Sequence, residues 1–473
     1  MDDPQRAPAV LGLGAMLANR AVLASDQGWL WSDHHGDLRN PGACRALRST
    51  IEAWLANPRQ SILAFAHDRH PDFYSTRIAH ELGAYYAVPV LAVQHHHAHV
   101  AAVVAKHRIR GPVLGLALDG FGWGADDTAW GGEVLLVHAH RWSRLAHLQR
   151  LPMPGGDQAT LQPWRLALAW AHTRGAAPAR LRRGPSTAQL RTPSEDPTGL
   201  PVGAPAWSAD RAAVLHMLER NFNCPTTSSA GRWFDAMAAL LGLCSTQPNE
   251  VQAAQLLEAA AERYLAQLPV GAAPPGGYGS DRGHWVRGTE SELPIGALVS
   301  ELLDELAPAG PRSDQPASSR AASASEAQVN RAAAGFHLGL ADGLVRSLAS
   351  WARRCAVGQV CLSGGCLANR ILRERLCAGL QRAGLQTWLM AHGEHGDASL
   401  ALGQAFVARA WLSAWKATGH PAADAPRPEG VLAAQCGTLA LEADPQPWES
   451  LVESPRPEEH AQCASLYRPA SLS

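Results

Sequence analysis

An apolar run, a glycine turn and a second apolar run open this chain at residues 9–30, around Gly14 and Gly28, and the arrangement returns at residues 112–138. There an apolar run over 112–118 ends in Asp119-Gly120, and Gly131-Gly132-Glu133 leads into a second run over 134–138. Short apolar runs bounded by glycine read as strands. Two such starts in one chain predict a lobe built twice, although the self-similarity is weak residue by residue. A chain of 473 residues also exceeds what one core fills, so size alone points to more than one lobe.

Between the openings, strand-length and helix-length segments alternate. Residues 43–56 and 74–82 carry apolar residues at helical spacing, while 61–66 and 88–93 are apolar runs of strand length. The second run enters Gln94-His95-His96-His97-Ala98-His99, after which Val100, Val103 and Val104 continue at helical spacing. Residues 253–265 read as a helix. Residues 359–362, Ser363-Gly364-Gly365 and residues 369–380 read as strand, glycine turn and helix. The pattern predicts an α/β protein. Stretches 174–205 and 307–324, rich in Pro, Ser and either Arg or Ala, read as inserted loops. Past residue 418 the periodicity fades, which predicts an extended or partly disordered tail. The expected division is an N-terminal lobe over 1–110, a C-terminal lobe over 111–418 and the tail over 419–473.

Composition narrows the partners. The 41 basic and 42 acidic residues nearly cancel, which gives no electrostatic case for a nucleic-acid or anionic-membrane partner. No apolar run reaches the ~20 residues of a bilayer span, and residues 1–8 do not read as a signal peptide. The nine cysteines include no CxxC pair, and their odd number argues against a disulfide framework. The cytoplasm is the expected location.

His95 and His99 lie four residues apart at the start of an expected helix, on one face and about one turn from each other. Neutral imidazoles so placed reach one divalent ion, as in other HxxxH sites. A solvated histidine-rich turn is the plainer reading, and the remaining ligands must come from elsewhere. Asp119 ends an apolar strand at the sheet edge where ligands gather in open α/β folds; it reads equally as a turn-initiating aspartate. Asp397, ahead of a helical run over 400–408, is a ligand candidate or an N-cap. Two histidines and two aspartates form a nitrogen/oxygen set suited to iron or zinc.

Ser363-Gly364-Gly365-Cys366-Leu367-Ala368-Asn369 has the form of a phosphate or nucleotide cradle, with glycine amides followed by a helix N-terminus. Pro154-Gly155-Gly156-Asp157 is a tight turn whose aspartate could instead bind a ribose hydroxyl, and Asp235 is similarly ambiguous. The chain has no Walker A loop and no GxSxG elbow. No nucleophile–base pair is visible, so a covalent nucleophile is expected to belong to the acceptor.

In their order along the chain these segments resemble the HypF family. The matches begin with Ser32-Asp33-His34-His35-Gly36-Asp37-Leu38, His70-Pro71-Asp72-Phe73-Tyr74-Ser75-Thr76 and the histidine run at 95–99. They continue with Asp119-Gly120-Phe121-Gly122-Trp123-Gly124, Trp130-Gly131-Gly132-Glu133, Pro154-Gly155-Gly156-Asp157 and Pro163-Trp164-Arg165. The last are Thr227-Ser228-Ser229-Ala230-Gly231-Arg232-Trp233-Phe234-Asp235, Leu362-Ser363-Gly364-Gly365 with Asn369-Arg370, and Asp397 leading to Leu402-Gly403-Gln404-Ala405. The resemblance spans roughly residues 9–412. It implies a two-lobed actin-like (ASKHA) fold, a duplicated ribonuclease-H-like unit related to the TsaD threonylcarbamoyl-transferring enzymes. By resemblance, carbamoyl adenylate made from carbamoyl phosphate and ATP is the donor. The C-terminal cysteine of a HypE-like protein is the acceptor, on the way to the cyanide ligands of NiFe hydrogenase. His95, His99, Asp119 and Asp397 look like ligands of a divalent iron or zinc, with His95, His99 and Asp119 also catalytic. Gly156, Asp157, Asp235, Gly364, Gly365 and Asn369 look like contacts to ATP or the adenylate.

The chain also departs from the family pattern. The acylphosphatase-like, CxxC zinc-finger and YrdC-like portions have no counterpart in these 473 residues, so a separate carbamoyl-adenylate-forming partner is expected. Ala18 stands where the family usually has lysine, leaving Arg20 as the nearby charge. Glu394-His395-Gly396 replaces Pro-Pro-Asn ahead of Asp397. The alternative expectations are an O-carbamoyltransferase for a small-molecule hydroxyl and a non-catalytic metal-binding scaffold.

Overall fold

The structure, a computed structural model, describes residues 7–57, 60–174, 206–269, 292–306, 325–391 and 394–417. The loops expected over 174–205 (apart from Arg174) and 307–324, and the tail over 419–473, lie outside these residues.

The first opening forms three strands where the sequence suggested a hairpin: β1 (Ala7–Gly12), β2 (Val22–Ser25) and β3 (Gly28–Trp31), joined antiparallel. Asn40 caps helix α1 (Pro41–Leu55) by accepting from Gly42 N, with Pro41 at the start where its missing N–H costs nothing. Strand β4 (Gln60–Asp68) then lies parallel to β1, helix α2 (Tyr74–Tyr86) follows, and β5 (Val90–Val93) lies parallel to β4. The sheet order is β3-β2-β1-β4-β5. Helix α3 (His95–Lys106) leaves its end.

The second opening repeats the plan. Strands β6 (Val113–Trp123), β7 (Ala129–His138) and β8 (Arg141–Leu148) are antiparallel. After the short strands β9 (Leu151–Pro152), β10 (Thr226–Thr227) and β11 (Glu292–Leu293) come β12 (Gln359–Ser363) and β13 (Gln386–Leu389). β12 is parallel to β6, and β13 to β12. The order β8-β7-β6-β12-β13 matches the first sheet strand for strand, with β11 added at its edge. This is a ribonuclease-H-like unit built twice, the actin-like arrangement.

The two halves exchange their last helices. Val100, Val103 and Val104 of α3 pack against Val113, Leu135 and Cys361 of the second sheet. The final helix, Leu400–Ala417, covers the first sheet, with Leu400, Leu402, Ala405, Val407 and Trp411 against Val10, Val22, Ala64 and Leu91. A boundary at residue 110 therefore separates the sheets but divides this core. Small residues permit the crossing: a Cβ on Gly403 would lie 1.8 Å from Ala98 O, and one on Gly12 would lie 2.0 Å from Ala401 O.

Most helices of the second half were not visible in the periodicity. The longest, Glu326–Cys355, buries every residue from Ala332 to Ala341, so this stretch has no polar face to mark its period.

A candidate metal and nucleotide cleft

Both histidines of the HxxxH pair are fixed where β5 meets α3. Gln94 caps that helix, its side-chain oxygen accepting from His97 N at 2.8 Å, so the first turn begins directly at His95. The His95 and His99 rings lie 4.9 Å apart, edge to face, and both are buried. Asp119 comes from the second half, at a bulge where the β6–β7 register shifts between Leu118 and Gly122. The Ser229 hydroxyl lies 2.8 Å from the carbonyl oxygens of both Asp119 and Gly120 and holds the bulge in place. Asp397 opens a short 3₁₀ turn, Asp397–Ser399, just ahead of the final helix.

These elements place four side chains together. His99 Nε2 is 2.9 Å and His95 Nε2 3.2 Å from Asp119 Oδ2, and the same nitrogens are 3.6 and 3.7 Å from Asp397 Oδ1. One ligand atom from each of the four lies within 4.8 Å of the other three. Four donors about 2.1 Å from a tetrahedral cation stand about 3.4 Å from one another, and the His–Asp separations bracket that value. The set fits a divalent ion, and its chemistry suits iron or zinc.

The charge balance agrees. Burial opposes ionisation throughout, yet Asp68, Asp119 and Asp397 hold the His95 imidazole well above its ordinary range, and hydrogen bonds to Asp119 and Asp397 raise His99. Burial likewise works against charge on Asp119, but its hydrogen bonds to the two histidines hold it well below the usual carboxylate range. The carboxylates thus demand positive charge at this point, from protons or from a metal that displaces them. His96, between the two, is driven well below its ordinary range by burial, and its Nδ1 meets the Gln94 amide at 3.1 Å.

The glycine turn adjoins the quartet. Gly365 N points to Asp119 Oδ1 at 3.3 Å, and a Cβ on Gly365 would come within 3.2 Å of that oxygen. Gly364 has φ 102° and touches Leu118 so closely that a Cβ would lie 2.2 Å from its carbonyl oxygen. Gly156, at φ 58°, has open space where a side chain would be, and Asp157 is exposed within electrostatic reach of His70.

The other two residues face inward. Asp235 is fully buried: Gln247 Nε2 donates to its Oδ1 at 3.2 Å, Arg232 Nε stands 3.0 Å from Oδ2, and burial pushes its carboxyl up to about 6. Asn369 caps the helix Arg370–Arg382, accepting from Leu372 N at 2.9 Å, while its amide nitrogen donates to His337 Nε2 at 2.9 Å. Near Ala18, the Arg20 guanidinium donates to Ser32 O and lies over the Trp31 ring, so it is already engaged.

Asp68 was missed. It ends β4 as Asp119 follows the apolar run of β6, and its Oδ2 is 2.6 Å from His95 Nδ1. The apolar run read over 61–66 stops short of His67-Asp68 and no glycine follows, so the rule that singled out Asp119 passes over it.

Two ribonuclease-H-like units closing on a His/Asp quartet define a Kae1-like domain. Its first half, residues 5–106, matches the family described as "HypF Kae1-like domain". Residues 115–307 and 313–404 match "Carbamoyltransferase, Kae1-like Domain, second subdomain". The chain is 43% identical over 402 residues to "Carbamoyltransferase HypF homolog" of Cupriavidus necator, covering 84% of this chain and 91% of that protein. It is 39% identical to "Carbamoyltransferase HypF2" of the same organism over 85% of this chain but 46% of that one. Two crystal structures share the fold at 24% identity. They are full-length HypF in a phosphate- and nucleotide-bound form (TM-score 0.69; 86% of this chain, 56% of that one) and T. kodakarensis HypF (TM-score 0.70; 88% and 49%). The chain belongs to the HypF carbamoyltransferase family. It spans nearly all of the first relative and about half the length of the others.

Proposed function

We propose that this chain transfers a carbamoyl group from carbamoyl adenylate to the C-terminal cysteine thiolate of a HypE-like protein in NiFe hydrogenase maturation. The observation that carries the reading is the meeting of His95, His99, Asp119 and Asp397, drawn from both halves, beside the Gly364-Gly365 turn. A cation held there, iron or zinc, supplies Lewis-acid polarisation of a phosphate or carbonyl oxygen. Gly364 and Gly365 let the turn after β12 close on Leu118 and Asp119, which brings its main chain up to the quartet, and the open Gly156 and exposed Asp157 are the proposed contacts to the nucleotide.

The step is a substitution at the carbamoyl carbon. The acceptor's thiolate forms the C–S bond, the C–O bond to the adenylate's phosphate breaks, and AMP leaves with the electron pair. Asp119 and Asp397 would be the carboxylate ligands of that cation, and Asp119 also keeps His95 and His99 in place. The donor is made by a carbamoyl-adenylate-forming protein or domain, and the reaction belongs to the cytoplasm. The described cysteines are free thiols, in keeping with a reducing compartment.

The test pairs elemental analysis and ATP calorimetry with a transfer assay, using carbamoyl adenylate and a HypE-like protein on the parent and a His95→Ala/His99→Ala double variant. Near-stoichiometric metal, nucleotide binding and thiol carbamoylation in the parent, with metal and transfer lost in the variant, are expected. A parent that binds neither metal nor nucleotide would overturn the proposal.

A further inference from the structure

We propose that Asp68 is the positioning carboxylate of the cation site: it holds His95 in the one tautomer whose Nε2 lone pair faces the quartet. The inference rests on the metal-binding reading above and adds a residue to it.

Asp68 is completely buried at the carboxyl end of β4, so each of its oxygens needs a partner. Both have one. Oδ1 accepts from His70 N at 2.9 Å, and Oδ2 lies 2.6 Å from His95 Nδ1. A carboxylate only accepts, so the 2.6 Å contact requires the proton on Nδ1. That leaves Nε2, the atom facing Asp119 and Asp397, free to donate an electron pair.

The mount is rigid. Asp68 pairs with Val93 across the parallel β4–β5 ladder, and α3 starts two residues beyond Val93. The Thr76 hydroxyl of α2 reaches the carbonyl oxygens of both Asp68 and His70. The carboxylate is therefore built into the same sheet edge that launches the histidine helix. His99 has no comparable support: its Nδ1 finds Ser363 Oγ at 3.4 Å, a long contact to a neutral hydroxyl. The two histidines are unequal, with His95 held by an ionic partner and His99 by its helix.

Asparagine discriminates sharply at this position. Its amide can accept from only one side, whereas His70 N and His95 Nδ1 both present hydrogens. With the oxygen on His70 N, the NH₂ faces Nδ1 and forces the ring proton onto Nε2, where it blocks the lone pair.

The experiment titrates zinc into the metal-free full chain against a chromogenic chelator, for the parent, Asp68→Asn and Ser363→Ala, with the thermal midpoint of each metal-free protein as the folding control. Alongside, histidine-¹⁵N NMR of the zinc-loaded parent reads the His95 ring. Asp68→Asn is expected to weaken zinc affinity by about 10- to 100-fold, the usual effect of removing such a partner, and Ser363→Ala by less. The zinc-loaded parent is expected to show a strongly downfield proton on His95 Nδ1. Parent-like affinity in Asp68→Asn, or a zinc-loaded His95 without an Nδ1 proton, would overturn the assignment while leaving the metal site standing. A parent that binds no zinc would overturn both. Should Asp68→Asn fail to fold, the NMR result on the parent decides alone.

Discussion

The buried histidine His337, remote from the quartet in sequence, shows how a single side chain sets a pH limit. Its Nδ1 lies 2.8 Å from Ala333 O and must donate; its Nε2 accepts from Asn369. The bond from Asn369 requires an unprotonated Nε2 and hence the neutral ring, and burial holds its pKa down to about 4 from 6.5. Because the folded-state value is depressed, the stability is present above about 6.5 and is lost as pH falls toward 4, where the unfolded chain takes up a proton that the folded chain refuses. The full loss is roughly 3 kcal/mol, of which about 2 kcal/mol has gone by pH 5. His337→Gln removes the titration. Urea unfolding at pH 7 and pH 5 is expected to show the parent's advantage over the variant shrinking by about that amount, and an unchanged gap would refute it. At this scale the sequence was legible wherever a residue's neighbours announced it. The spacing of His95 and His99 and the strand-ending Asp119 identified donors that do meet in space. Asp235 and Asn369 showed the limit: only the packing reveals that one is paired inside with Gln247 and the other ties a helix cap to His337.

Elements meet at glycines, and Gly403 is the sharpest case. The final helix approaches α3 so closely that any side chain there would overlap Ala98 O, a backbone atom that cannot swing aside. The same helix begins three residues after Asp397, and α3 begins at His95. Gly403→Ala must therefore part the helices that carry ligands from the two halves. A loss of about 1–3 kcal/mol is expected from overpacking, with zinc affinity falling in the same variant. Gly358→Ala is the control, since φ there is ordinary and nothing lies within 4 Å of the added methyl; its thermal midpoint should stay level or rise slightly. Parent-like stability and zinc affinity in Gly403→Ala would show that the crossing has slack. Strands were readable because glycine turns bound them, and α1 because its apolar residues recur at helical spacing; the cap by Asn40 and Pro41 that sets its start was not read. The 30-residue helix Glu326–Cys355 was not, because its middle, Ala332–Ala341, is buried all round and carries no amphipathic period.

At the scale of the molecule, the duplication was legible in the repeated strand openings, but the exchange of helices was not. Nothing in residues 9–30 says that their sheet is covered by residues almost 400 positions away. Without the final helix, Val10, Val22, Ala64 and Leu91 lose their cover, and without the second sheet the valine face of α3 has none. A fragment of residues 1–110 is therefore expected to stay loosely packed, binding a hydrophobic dye and unfolding without a sharp transition. Joining residues 394–417 to it through a flexible linker should restore much of the packing on the first sheet and sharpen the transition. Cooperative, dye-free unfolding of the fragment alone would show that the first half is self-sufficient. The exchange has a further consequence, because the segment that closes the first core also delivers Asp397. Any opening that lifts the final helix removes a ligand, so zinc bound to the quartet must oppose that opening. Saturating zinc at 100 times its dissociation constant is expected to raise the unfolding free energy of the full chain by about 2.7 kcal/mol. In amide hydrogen exchange, slowing is expected along both α3 and Leu400–Ala417. Protection confined to α3 would mean that the cation holds the histidines without fastening the two halves together.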